Sequence, residues 1–113
     1  MRVAKLKKDD GTMVCARCAI ADSPLTRMRG LLGRASLAPD EGMLFRPAGS
    51  IHMLFMRFAI DAVFCDRELR VLKVARDVQP WKVAAAKGAK VVIELASGAA
   101  ATIEAGDRLV LDA

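Results

Sequence analysis

The sequence contains no Tyr, no Asn, one Trp and one His among its 113 residues. Aromatic side chains that could stack on bases are therefore scarce, and the signature of a nucleic-acid-binding surface is weak. Lys and Arg outnumber Asp and Glu by 18 to 13, but this surplus of +5 is spread from Lys5 to Lys90. Such a spread is typical of solvated faces with a general affinity for anions, so we do not expect a nucleic-acid partner.

Long apolar runs are also missing. No uncharged stretch approaches the roughly 18 residues that a membrane helix needs, and the charged N-terminus Met1–Asp9 lacks the apolar region of a signal peptide. The balance of 54% hydrophobic and 27% charged residues is that of a globular protein. We therefore expect one domain over residues 1–113, located in the cytoplasm without a membrane partner.

Three cysteines cannot form a complete set of disulfides, so reduced thiols are expected. Cys15 and Cys18 lie in a predicted strand, where residues three apart point to opposite faces and could not share a metal. A zinc site would need both to converge with His52 and Cys65, without a second closely spaced ligand pair. The sequence therefore predicts no metal site and no cofactor.

Familiar catalytic motifs are absent as well. The chain has no G-x-S-x-G elbow, no G-x-x-x-x-G-K-[ST] loop, no G-x-G-x-x-G and no H-E-x-x-H. A non-enzymatic role is therefore favoured over an enzymatic one.

Hydrophobic periodicity predicts about seven short strands and one main helix. The helix is expected over residues 24–34, because Ser23 can cap its first turn and Pro24 suits its first position. Three apolar residues share one helical face and form its predicted core stripe: Leu25, Met28 and Leu32. A further helical turn is expected at residues 83–87. The predicted fold is α+β and mostly β, a compact antiparallel sheet or small barrel-like β domain with the helix packed on it.

The stretch from Gly42 to Asp66 gathers all four Phe, the only His and one Cys. It includes Asp61, an acid inside an apolar strand pattern where a core strand would carry another hydrophobic side chain. Glu94 interrupts a second apolar strand in the same way. The Met and Phe side chains of the stretch are predicted to form core or to line a pocket.

Five ordered motifs carry a resemblance that covers most of the chain. They are MRGLLGR at 28–34, GMLF at 42–45, Ile60-Asp61 with Phe64, VIELASG at 92–98, and Gly106-Asp107. In order and spacing they resemble the bacterial and archaeal "domain of unknown function 192" (DUF192) family. The resemblance implies a compact β-rich domain of unassigned activity. One segment differs: Ile51–Met56 stands where many relatives carry an aromatic-Trp-Met-x-Asn-Thr sequence, so no role of that amide carries over.

Two interpretations of the out-of-place polar residues stay open. Asp61 either accepts backbone amides or pairs with a nearby arginine, or it contacts a ligand or substrate. Glu94 presents the same choice, and His52 lies in a loop-like stretch where an imidazole can contact a ligand. The candidate ligand-binding residues are His52, Asp61, Arg27, Arg34, Arg57 and Glu94.

Two functions of different classes follow. The first is a small non-enzymatic binding module with a partly apolar pocket for a small polar or anionic ligand. The second is a small hydrolase or lyase that uses Asp61, Glu94 and His52, which would require all three to converge on one pocket. The sequence favours the first and does not identify the ligand.

Overall fold

The computed structural model describes residues 2–112, apart from the side chains of Leu25, Met28 and Arg29. Within that range, the elements in chain order are β1 (Arg2–Lys8), β2 (Met13–Ala21), α1 (Pro24–Arg29), β3 (Glu41–Phe45), β4 (Ser50–His52), β5 (Ile60–Cys65), β6 (Val71–Val78), β7 (Val83–Ala85), β8 (Val91–Ala96) and β9 (Leu109–Asp112). Seven strands form one sheet in the order β6-β5-β8-β3-β2-β1-β9, and β4 pairs with β7 separately. The fold is mostly β, as predicted.

The large sheet curls into a half-barrel. Its neighbouring strands are antiparallel except for the parallel pair β2 and β3. The two edge strands, β6 and β9, meet at one end, where Arg70 and Arg108 form an isolated bridge. Beside it the Val71 amide donates to the Asp107 carbonyl at 2.8 Å. These bonds pair part of the edges that would otherwise stay open.

The inner face of the half-barrel holds the larger hydrophobic core. Side chains from all seven strands of the sheet meet there, including Leu6, Leu44, Val63, Ile93 and Leu109. Only the concave side of a curled sheet can collect side chains from every strand. Burying each of these large aliphatic side chains stabilises the fold by about 1.5–3 kcal/mol.

A second core covers the outer face of the central strands β3, β5 and β8. It includes Met43, Phe64 and Val92 of the sheet, with Ile51 of β4 and Met53 packed over them. Every residue of β5 and β8 is consequently buried. This is why these strands appear in the sequence as nearly continuous apolar runs instead of alternating patterns.

The predicted main helix over residues 24–34 is wrong in extent. The structure has only the six-residue α1, capped by Ser23 as predicted, and Gly30 follows it with φ of 48°. A residue with positive φ cannot continue a right-handed helix, and Gly33 also has a positive φ, of 86°. Leu32 is 42% exposed and is not core, whereas the predicted core positions Leu25 and Met28 lie outside the described side chains. In the part of the chain that the structure describes, no helix has the length and apolar character to cross a membrane.

The predicted helical turn at residues 83–87 is also wrong. Val83–Ala85 forms β7, which pairs with the unpredicted strand β4, Ser50–His52. Alanine favours a helix only by fractions of a kcal/mol per residue, a preference that strand pairing and contact with the outer core override.

The two neighbouring cysteines depart from simple strand alternation. Cys15 and Cys18 both lie in the inner core, although three residues separate them. The register explains this: Cys18 pairs with Ala4 and Cys15 pairs with Leu6, so β2 has one more residue than β1 between the two pairs. This β-bulge turns both side chains to one face, and the prediction that they point apart is therefore wrong.

Candidate functional site

A pocket of about 520 Å³ opens on the outer face of the half-barrel. Four apolar side chains contribute to its walls: Leu31, Phe45, Ile51 and Met56. Four polar residues also line it: Arg27 from α1, Ser50 and His52 from β4, and Glu94 from β8. The volume is in the range of pockets that hold small molecules, and three of the six candidate residues meet here.

Glu94 is the buried acid of this pocket. It lies in the middle of β8, where its partners on the neighbouring strands are Met43 and Ala62, both apolar. The residue is only 8% exposed; no described residue hydrogen-bonds to its carboxyl group, whose oxygens are open to the pocket instead of being sealed in the core. Burial raises the pKa of this carboxyl from the ordinary 4.5 to about 7. The group therefore changes charge near neutral pH, as functional carboxyls often do.

Arg27 and His52 lie nearer the solvent than Glu94. Arg27 is held on α1, whose first turn is fixed by reciprocal hydrogen bonds between Ser23 and Thr26. Its guanidinium donates to the Pro47 carbonyl at 3.0 Å, which orients the side chain beside the pocket. His52 ends β4 and is exposed. The pocket thus combines a buried carboxyl group and apolar walls with a more exposed cation and an imidazole.

Asp61 has a different environment. It is 1% exposed on the inner face of the sheet, opposite Leu95 of β8. Its carboxylate accepts three backbone amides, from Asp77 at 2.9 Å and from Gly98 and Ala100 at 3.0 Å each. These bonds join the end of β6 to the turn after β8 and satisfy the buried charge. Of the two interpretations of Asp61, the contacts are those of an acid that caps backbone amides.

The two buried acids lie on opposite faces of one sheet. Ala62 faces Glu94 across the β5–β8 pair, and the side chain of the preceding residue, Asp61, points to the other face. Asp61, Glu94 and His52 therefore do not converge on one pocket. The hydrolase or lyase that required this convergence is not supported by the geometry.

Two further candidate residues lie away from the pocket lining. Arg34 donates to both carboxylate oxygens of Glu41, at 3.0 and 3.2 Å. The Ala38 amide and this guanidinium together lower the pKa of Glu41. Arg34 thus fastens the segment that follows α1. Arg57 is exposed in the connection to β5 and does not contribute to the pocket.

The prediction for the Met and Phe side chains holds for most of them. Phe45 and Met56 line the pocket, and Phe64 is core. Phe55 is the exception: it is 71% exposed and packs edge to face on Trp81, with ring centroids 4.9 Å apart. Hydrophobic periodicity did not indicate Leu31 and Ile51 as pocket residues, because neither lies in an element that the pattern predicted with the right bounds.

A shared metal site is absent from the described part of the chain. Across residues 2–112, no group of three or more His, Cys, Asp or Glu side chains is arranged to hold a metal ion. The three cysteines are buried free thiols.

The fold and the pocket define a class of protein: a small curled β half-barrel with a partly apolar pocket on its outer face. A family model, DUF192, described as "Uncharacterized ACR, COG1430", matches residues 5–111. The chain belongs to this family, as its five motifs indicated.

Known relatives extend the comparison without assigning an activity. A UPF0127 protein of Thermococcus sibiricus is 34% identical over 101 residues, which span 82% of this chain and 63% of that protein's length. A crystal structure of a candidate transcription regulator from Sinorhizobium meliloti has a TM-score of 0.82 at 23% identity, covering 96% of this chain and 92% of that one. A protein of unknown function from Novosphingobium aromaticivorans has a TM-score of 0.77 at 24% identity, with 96% and 83% covered. At these identities the two structures establish the shared fold alone.

Proposed function

We propose that this chain is a small non-enzymatic binding module whose outer-face pocket takes a small polar or anionic ligand with an apolar part. One observation carries the proposal: apolar walls and three charged or titratable side chains, Arg27, His52 and Glu94, meet in a single pocket of about 520 Å³. Apolar walls remove the nonpolar surface of a ligand from water, and a few polar groups fix its orientation.

The charges favour an anionic group at the solvent side of the pocket. The planar guanidinium of Arg27 presents several N–H donors, of which the contact with Pro47 uses one. Such a fork suits a carboxylate or phosphate, and the His52 imidazole offers a further polar contact. Catalysis has weaker support, because Asp61 is bound to backbone amides on the other face of the sheet.

A thermal-shift screen against a library of small metabolites tests the proposal. Arg27→Gln and His52→Ala should reduce the shift that a true ligand causes in the parent protein, because both side chains line the pocket. Arg34→Gln is the matched control, since it changes the same residue type on a side chain that contacts Glu41 instead. A screen that finds no ligand, or ligands whose shifts in both pocket variants equal those in the parent, would contradict the proposal.

A further inference from the structure

We propose that Glu94 makes the pocket selective for a small zwitterion: a ligand with an apolar body whose ammonium group binds Glu94 and whose anionic group binds Arg27 and His52. The inference deepens the proposed function and rests on it. It adds the chemical class of the ligand, that of an apolar amino acid, and assigns each end of the ligand to a side chain.

Glu94 is a buried acid in an apolar part of the sheet. Strand β8 is buried along its whole length, and the residues beside Glu94 on the neighbouring strands are apolar. Burial disfavours the charged form of such a carboxyl group, and none of the described residues donates a hydrogen bond to it, while its oxygens remain open to the pocket. Asp61 shows that this fold can satisfy a buried acid with backbone amides. Glu94 is left for a group that enters the pocket.

The charges in the pocket indicate which group Glu94 can bind. An ionised carboxylate only accepts hydrogen bonds, and its strongest partners are positively charged N–H donors. Among the described residues, the charged or titratable side chains that share the pocket with Glu94 are Arg27 and His52. A ligand that carried only an ammonium group would meet the Arg27 cation on its way in. A ligand with an anionic group as well can pair with Arg27, so the charge pattern selects a zwitterion.

The walls of the pocket are largely apolar. Leu31, Phe45, Ile51 and Met56 offer apolar surface beside the polar groups, so the ligand gains affinity by burying an aliphatic or aromatic body. Burial raises the pKa of the Glu94 carboxyl to about 7 when the pocket is empty. Binding of an ammonium group should favour the ionised carboxylate and so release a proton. Affinity for the ammonium group should therefore rise between pH 6 and pH 8.

Two series of probes with a common body separate the groups of the ligand. L-phenylalanine carries both charges, phenethylamine only the ammonium group, and hydrocinnamate only the carboxylate; L-leucine, isoamylamine and isocaproate repeat the test with a smaller body. Titration calorimetry at pH 6 and pH 8 should show the zwitterion of at least one series binding most tightly. The pH dependence of the amines should persist in His52→Gln, which isolates the contribution of Glu94.

Two variants assign the ends of the ligand. Glu94→Gln should weaken the zwitterion and the amine at pH 8 by at least tenfold without weakening the carboxylate, which loses a like charge in the pocket. Arg27→Gln should weaken the zwitterion and the carboxylate but not the amine, which no longer meets a like charge, and Arg34→Gln should alter none of them. If hydrocinnamate or isocaproate binds as tightly as the matching zwitterion and Glu94→Gln has no effect, the inference is wrong while the binding module stands. If no probe binds and the library screen is also empty, both are wrong.

Discussion

Asp61 and Glu94 are two buried acids on adjacent strands of one sheet, and the fold treats them in opposite ways. Asp61, on the inner face, accepts three backbone amides. Glu94, on the outer face, lies in an open pocket among apolar neighbours. Burial alone therefore does not tell a structural acid from a functional one. The two acids differ in the number of donors that the fold supplies, and the predictions below test whether that difference separates a structural acid from a ligand-binding one.

The largest effect is expected for Asp61→Asn. The amide keeps the shape of the side chain but replaces a charged acceptor, and its NH₂ group would point at backbone N–H donors. We expect a loss of about 3 kcal/mol in the free energy of unfolding, because buried amides lose charge-assisted partners. Urea denaturation at pH 7 measures this loss. A change within about 0.5 kcal/mol, the scatter of surface substitutions, would show that the three bonds do not hold the fold together.

The next effect should have the opposite sign, in Glu94→Gln at pH 8. The native state holds the Glu94 proton up to a pKa of about 7, whereas the unfolded chain releases it near the ordinary 4.5. The contribution of Glu94 to the stability of the parent protein should therefore fall as the pH rises from about 4.5 to about 7, and it should stay low above that range. The shift corresponds to about 3 kcal/mol, of which a neutral but still buried amide should recover about 2 kcal/mol.

Paired urea titrations of the parent and Glu94→Gln from pH 5 to pH 8 measure this effect. The stability difference between them should be close to zero at pH 5 and grow with pH. A difference that is constant across the range would mean that the Glu94 carboxyl ionises alike in the folded and unfolded chains. Glu94 would then not differ from Asp61 in the way proposed, as a buried acid that the fold leaves without donors.

The sequence predicted most of the large sheet but not the layer that covers it. Strands β3, β5 and β8 were recognisable because burial on both faces demands continuous apolar runs. Strands β4 and β7 have three residues each, too few for a period to show, and β7 has the composition of a helix. The pocket depends on this layer, so its walls could not be derived from periodicity.

The acids themselves were recognisable as polar residues in apolar strands, but their faces were not. In a strand buried on both sides, alternation assigns Asp61 and Val63 to one face without saying which face is the inner one. That choice depends on the pairing of β5 with β8 and on the curl of the whole sheet. Cys15 and Cys18 show a second limit, because one bulged residue reverses the face that alternation predicts.

A smaller effect on stability should show that the inner core is packed more tightly than the pocket on the outer face. A methyl group added at Gly42 would lie 2.8 Å from a Leu95 side-chain carbon and 3.0 Å from the Glu94 carbonyl oxygen. Overpacking of this kind should cost Gly42→Ala about 1–2 kcal/mol. Ala48→Val, which adds bulk in the pocket, should change stability by less than about 0.5 kcal/mol. Thermal unfolding of both variants compares them, and equal losses would mean that the pocket is packed as tightly as the inner core.

The smallest effect is expected for Arg34→Gln. Arg34 binds Glu41 close to the solvent, with 42% and 23% of the two side chains exposed, and ion pairs of this kind contribute about 0–1 kcal/mol. Glu41 keeps the Ala38 amide as a partner, so we expect a loss within about 0.5 kcal/mol that shrinks further in high salt. Denaturation at low and high salt measures it. A loss above about 1.5 kcal/mol would mean that the Arg34–Glu41 pair holds the segment after α1 in place, including the pocket residue Leu31. Arg34→Gln would then disturb the pocket indirectly and could not serve as a neutral control.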